Sequence, residues 1–109
     1  MCIGDSYYLE RLDTMVTNHG WETYPDHAIT EKPSFYWHRN MAATFEQDTT
    51  GLRLLDLIGV ENLMYATDYP HPDSTWPRSQ DVLREHFEGL PAEQVEMIAS
   101  GNVSRIYKL

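Results

Sequence analysis

Basic residues are scarce in this chain. Its 109 residues include 8 Lys and Arg against 17 Asp and Glu, a formal net charge of −9. A surface that follows a phosphate backbone needs clustered cations, so this balance argues against a nucleic-acid partner. An anionic membrane surface is disfavoured for the same reason. Cysteine is nearly absent. Cys2 alone can form no internal disulfide and supply no thiolate zinc cluster. It has no activating neighbour in the sequence, which makes it a poor nucleophile. No apolar run approaches the roughly 18 residues that span a bilayer. The first residues show neither a basic stretch nor a long apolar segment, so no secretory signal is expected. No glycine-rich phosphate loop and no Gly-x-Ser-x-Gly elbow occurs. The expectation is a soluble, cytoplasmic protein.

Aromatic and apolar side chains are plentiful. Apolar residues make up 41% of the chain, with 3 Trp, 7 Tyr and 3 Phe, which is not a disordered composition. The length fits one domain and is enough to bury a core.

The pattern along the chain alternates. Residues 6–19 predict a helix, with Tyr8, Leu9, Leu12, Met15, Val16 and His19 on one face. Asp5 or Ser6 can cap its start, and Gly20 stands where a stop is expected. Residues 21–40 are irregular and aromatic, with Ser34 after Pro33 able to cap one short turn. Residues 41–46 read as a strand. A helix over about 50–58 follows, capped by Asp48 or Thr49, with Leu52, Leu55 and Ile58 as its buried stripe and Gly59 at its end. The apolar run Leu63 to Thr67 is too short for a helix and reads as a buried strand. Three prolines mark 68–79 as a loop. Helices over 79–89 and 91–100 come next, the first with Val82, Leu83, His86 and Phe87 on one face. Pro91 opens the second and Gly101 closes it, and Asn102 is placed to cap a last turn.

Strands joined by helices imply parallel pairing through right-handed crossovers, an α/β fold. Yet two parallel strands do not make a sheet that helices can cover on both faces. The strand Leu63–Ala66 is apolar at nearly every position and calls for neighbours that this chain does not supply.

In parallel α/β folds, functional groups gather at the carboxyl ends of strands. Asp68 stands at such an end. A carboxylate there can bind a divalent metal or act as a general acid or base; it can equally cap a turn through its own side chain. His71 and Asp73 lie on the same proline-stiffened loop, and a spacing of Asp-x-x-His-x-Asp alone is a weak metal pattern. His71 can serve as ligand, proton shuttle or substrate contact, or be one polar group of a surface loop. Trp76 can wall a pocket or simply pack. Glu46 ends the first strand at the same expected face, as a site residue or as a surface carboxylate near a helix start. His19 and His86 fall on apolar helical faces as packed or rim residues; His27 and His38 have no assigned place.

The string Ala66-Thr67-Asp68-Tyr69-Pro70-His71-Pro72-Asp73-Ser74-Thr75-Trp76-Pro77 resembles the last barrel strand and loop of the amidohydrolase-related proteins. Within them it is similar to the branch related to aminocarboxymuconate semialdehyde decarboxylase. Ile3-Gly4 followed by Leu9-Glu10-Arg11-Leu12-Asp13 resembles the helix after the sixth strand. Lys32-Pro33-Ser34 before Tyr36 resembles the entry to the seventh, and Phe45-Glu46 with Asp48 its end. Gly101-Asn102 with Arg105-Ile106-Tyr107 resembles a Gly-Asn-x-x-Arg-Leu-Tyr ending, with Ile in place of Leu.

The resemblance implies that residues 1–109 are the C-terminal segment of a single TIM (β/α)₈ barrel domain, holding strands seven and eight with their helices. Such a barrel needs about 250 residues, so strands one to six would precede Met1. The implied activity is a divalent-metal-dependent hydrolase or non-oxidative decarboxylase of small carboxylic acids. The implied metal is zinc, with manganese as the other option. In the family it is held by histidines on earlier strands and by the Asp after strand eight. Only that Asp has a counterpart here, as Asp68, with His71, Trp76 and Glu46 as neighbouring pocket residues. The chain alone would then be inactive, since a catalytic metal normally takes three or more protein ligands. The competing expectation is a non-catalytic α/β interaction module or a decayed gene product, whose open strand edges would favour self-association into a homo-oligomer.

Overall fold

Two short parallel strands form the centre of the structure, a computed structural model that describes residues 4–23 and 30–109, with side chains from residue 7 to 20 and from 30 onward. Strand β1 (Ala43–Phe45) pairs with β2 (Leu63–Tyr65) in the register Ala43↔Leu63, Thr44↔Met64, Phe45↔Tyr65. The ladder continues one step further, where the Ala66 N–H donates to Phe45 O at 2.9 Å. The order around the sheet is helix α1 (Gly4–Thr23), α2 (Pro33–Asn40), β1, α3 (Thr49–Arg53), α4 (Leu55–Ile58), β2, α5 (Ser79–His86), α6 (Ala92–Glu96) and α7 (Asn102–Tyr107). Both expected strands are present, and they are parallel. Among the described residues the sheet has these two strands only, so each keeps an open outer edge.

The crossover between the strands is built as its sequence predicts. Asp48 caps α3, its Oδ1 accepting the Gly51 N–H at 2.7 Å. Leu52, Leu55 and Ile58 are buried. The helix breaks at Leu54 into α3 and α4, and Gly59, at φ 90°, turns the chain out of it. That conformation suits glycine alone. A Cβ on Gly59 would also stand 2.7 Å from Asn62 Oδ1 and 2.9 Å from His38 Nδ1. The core gathers Trp37, Phe45, Leu52, Leu55, Ile58, Leu63, Phe87 and Ile98. Trp37 satisfies its indole N–H on Ile58 O at 2.7 Å.

Two expected helix stops, Gly20 and Gly101, and two expected caps, Ser34 and Asn102, behave differently from expectation. Gly20 does not stop α1, which runs to Thr23. The start of that helix places Asp5 and Ser6 among residues whose side chains lie outside the description, as do Cys2 and His27. The inward face of α1 is Leu9, Asp13, Val16 and Gly20, whereas Tyr8, Leu12 and Met15 are exposed. The cause is Asp13. Its carboxylate accepts the Ser34 N–H at 2.9 Å and the Ser34 O–H at 2.6 Å. That pins α1 to the first turn of α2 and fixes the helix rotation. Ser34 is therefore held by Asp13 rather than capping a turn by itself, and α2 is a full eight-residue helix with Pro33 in its first turn.

Gly101 does not close the next helix either. The chain passes from α6 through a π-helical turn (Met97–Gly101) directly into α7. Asn102 is not a cap. It is 2% exposed, and its Nδ2 donates inward to Val60 O at 2.7 Å and Leu63 O at 2.8 Å. The π turn absorbs one residue of helical phase, which is what aims this side chain into the body.

The radius of gyration is 16.2 Å and the extents are 50 × 29 × 28 Å. A compact domain of 100 residues has a radius near ~13 Å, so this chain is extended. No helix among the described residues is long and apolar enough to cross a membrane.

Candidate functional site

The loop after β2 leaves the sheet through Thr67, and Asp68 then adopts the left-handed conformation, φ 56°. Few residue types sit there; Asp and Asn do so more readily than most because their short polar side chains bond locally. Asp68 does bond locally. Its Oδ2 lies 2.9 Å from His71 Nδ1, and its carbonyl accepts the His71 N–H at 2.9 Å. The two side chains are exposed at the carboxyl end of the strand. Asp68 and His71 are thus brought together as a carboxylate–imidazole pair.

The loop is pinned at its base. Thr67 O accepts from Ser74 Oγ at 2.7 Å and from the Thr75 N–H at 3.1 Å. The Tyr69–Pro70 and Trp76–Pro77 peptide bonds are cis. Trp76 is 62% exposed and stands edge-on to the ring of Tyr69, itself 66% exposed, with centroids 5.9 Å apart. Trp76 therefore pairs with Tyr69 and is not packed into the core.

Glu46 follows β1 at the same end of the parallel pair. It is half-buried, and its Oε2 is enclosed without a hydrogen-bond partner. Asp73 is exposed on the loop. His86 lies on α5, half-buried, with Nε2 3.5 Å from Thr49 Oγ1 and Nδ1 enclosed without a partner.

Two groups around the loop escaped the sequence reading. Tyr69 is a loop aromatic without periodicity to mark it. Thr75 is buried, and its hydroxyl lies 2.8 Å from Tyr65 Oη and 3.1 Å from Ser79 Oγ. Its signal was two hydroxyl residues, Ser74 and Thr75, between prolines, which by itself reads as ordinary turn chemistry.

The donor set has the right chemistry for a divalent ion but not the number. A carboxylate oxygen and an imidazole suit zinc or manganese. Among the described residues no group of three or more His, Cys, Asp or Glu could hold a metal. Asp68, with His71 hydrogen-bonded to its carboxylate, therefore fits one side of a metal site whose other ligands would come from elsewhere.

Residues 13–109 match the family model described as amidohydrolase. Among solved structures, the chain is similar to 5-carboxyvanillate decarboxylase LigW from Sphingomonas paucimobilis, at 30% identity and a TM-score of 0.75. That match covers 95% of this chain and 30% of the decarboxylase, so the chain spans under a third of the length of the enzyme it resembles. No curated protein matches it.

Proposed function

This chain belongs to the amidohydrolase family, on its decarboxylase-like branch, and from that premise we propose that it contributes one ligand to a divalent-metal enzyme acting on a small carboxylic acid. The reaction is a hydrolysis or a non-oxidative decarboxylation. In this reading residues 1–109 are the C-terminal segment of a single (β/α)₈ barrel domain, with β1 and β2 as its seventh and eighth strands. The open outer edges of the sheet and the extended shape support it, since both suit a piece whose flanks are covered by further strands and helices. A lone cysteine suits a reducing, cytoplasmic setting.

The observation that carries the proposal is the placement of Asp68. It is an exposed carboxylate at the carboxyl end of a parallel strand, oriented by a histidine on its own loop. This is where barrel enzymes assemble their sites. Asp68 would hold the metal, zinc before manganese, together with ligands from outside this chain. When bound, such an ion supplies Lewis-acid polarisation of a substrate carboxylate or carbonyl and activation of a water. His71 steadies the Asp68 carboxylate and can exchange a proton at Oδ2. The Tyr69–Trp76 pair offers an apolar flank to the body of a substrate. Glu46, half-buried at the same end of the strand pair, would stand beside the site as a pocket residue.

Zinc titration tests the division of ligands. The lone chain should bind zinc weakly, and the full-length protein that carries this segment should bind it stoichiometrically. With 5-carboxyvanillate as the first probe of turnover, Asp68→Asn should abolish CO₂ release. Tight zinc binding by the lone chain, or near-normal turnover in Asp68→Asn, contradicts the proposal.

A further inference from the structure

Thr75 is a buried, multiply hydrogen-bonded residue of the β2–α5 loop, and nothing in the chemistry above uses it. It is 6% exposed. Its N–H donates to Thr67 O at 3.1 Å, a carbonyl that also accepts from Ser74 Oγ at 2.7 Å. Those two bonds occupy the lone pairs of that oxygen. The third approach, Thr75 Oγ1 to Thr67 O at 3.5 Å, is the weakest. The Thr75 hydroxyl is thereby left to its two hydroxyl neighbours, Tyr65 Oη at 2.8 Å and Ser79 Oγ at 3.1 Å. In one consistent arrangement the Tyr65 O–H donates to Thr75 Oγ1, and the Thr75 O–H donates to Ser79 Oγ.

A single residue thus joins three pieces of chain, its hydroxyl holding the last residue of β2 and the first residue of α5 and its N–H holding the base of the loop at Thr67. Asp68 and His71 both lie inside the segment it closes, and Asp68 is bonded directly to Thr67. We propose that Thr75 is a positioning residue for the metal site, acting through Thr67 to fix where Asp68 presents its carboxylate. This rests on the reading of Asp68 as a metal ligand. Thr75 touches neither metal nor substrate. Its role is the one that supporting hydrogen bonds play around metal ligands generally, where losing a partner costs about 10- to 100-fold in affinity.

The test is zinc affinity of the full-length protein, measured by calorimetry with the metal alone, alongside amide hydrogen exchange over residues 67–76. Thr75→Val keeps the shape and the N–H bond and removes the hydroxyl. It should weaken zinc binding about ten-fold or more and speed exchange in the loop, and Thr75→Ser should restore both. A folded Thr75→Val protein with a lower melting temperature but wild-type zinc affinity overturns the proposal, because a merely structural role has that signature. Thr75→Ser as impaired as Thr75→Val also overturns it. If Thr75→Val does not fold, Tyr65→Phe takes its place. That variant removes one hydroxyl of the same network and keeps the ring against Phe45 and Phe87; unchanged zinc affinity in it overturns the proposal equally. Asp68→Asn separates the two levels. Loss of zinc there with wild-type affinity in Thr75→Val sinks only the role of Thr75, whereas wild-type affinity in Asp68→Asn sinks the reading of Asp68 itself.

Discussion

The side-chain amide of Asn102 reaches across 39 positions of sequence to donate to Leu63 O at 2.8 Å, at the first residue of β2. A second bond runs to Val60 O, and Arg105 Nη2 adds a third clasp on Glu61 O at 2.6 Å. The turn that feeds β2 is therefore held by the last helix. Asn102→Ala leaves Leu63 O without its side-chain partner in the interior and Val60 O with the Leu63 N–H alone. At about 1–3 kcal/mol for a buried group left unsatisfied, the loss should be about 2–3 kcal/mol. Arg105→Ala, on an exposed residue, should cost about 1 kcal/mol. Urea unfolding of the chain checks both; equal losses from the two variants would contradict the assignment of the clamp to Asn102.

The inward turn of Asn102 shows where sequence reading stops. Gly101-Asn102 carries every local sign of a helix end and a new cap, and local signs are all that spacing reveals. The partners that decide the matter, Val60 and Leu63, lie about forty positions away. Gly20 misleads in the same manner, since the Asp13–Ser34 contact that sets α1 against α2 is not local. Strands and the α3–α4 crossover were legible because they depend on short-range signals: an apolar run, an Asp cap, a three-residue stripe, a glycine stop. At the candidate site, Asp68 and His71 share a loop of few residues, so their pairing was within reach. The Thr75 network and the Tyr69–Trp76 pair depend on how the loop folds back, which no spacing rule encodes.

The Asp13 carboxylate binds both the N–H and the O–H of Ser34. Hydrogen bonds to a charged group are worth about 1.5–3 kcal/mol when well shielded, and this pair is only partly buried. Asp13→Ala should thus destabilise the chain by about 1–2 kcal/mol. Ser34→Ala keeps the N–H bond and should cost about half as much. Comparison of urea midpoints for the two variants checks the ratio. A larger effect from Ser34→Ala would show that the N–H contact is not the anchor.

Gly59 carries a double constraint. Its φ of 90° is unfavourable for any side chain, and a Cβ would press on Asn62 Oδ1 at 2.7 Å. Asn62 cannot easily yield, because its Nδ2 donates to Trp37 O, His38 O and Met41 O. Strain of about 1–2 kcal/mol from the backbone adds to the cost of shifting Asn62. Gly59→Ala should therefore lose more than about 2 kcal/mol, a large value for one methyl group on a turn. A Gly59→Ala/Asn62→Ala double variant should be less destabilised than the sum of the single losses, since removing the amide removes the nearer of the two clashes and leaves that with His38 Nδ1. Simple additivity in thermal or urea melts would contradict the contact.

Asp68 sits at φ 56°, a conformation that costs an ordinary L-residue about 1–2 kcal/mol and glycine little. Such strain persists where surrounding structure holds it, and it clusters at working sites. Replacing Asp68 by glycine relieves it. The change also removes an exposed bond to His71 of small worth. Against this stands the greater freedom of glycine in the unfolded chain, about 0.5–1 kcal/mol. The terms nearly cancel, so Asp68→Gly should leave stability within about 1 kcal/mol of the parent, whereas zinc binding by the full-length protein should be lost. A residue kept for the fold would show the opposite pattern, a clear loss of stability. Denaturant midpoints set beside zinc titrations decide between them: a loss beyond about 2 kcal/mol with zinc affinity intact would assign Asp68 to the turn and not to the metal.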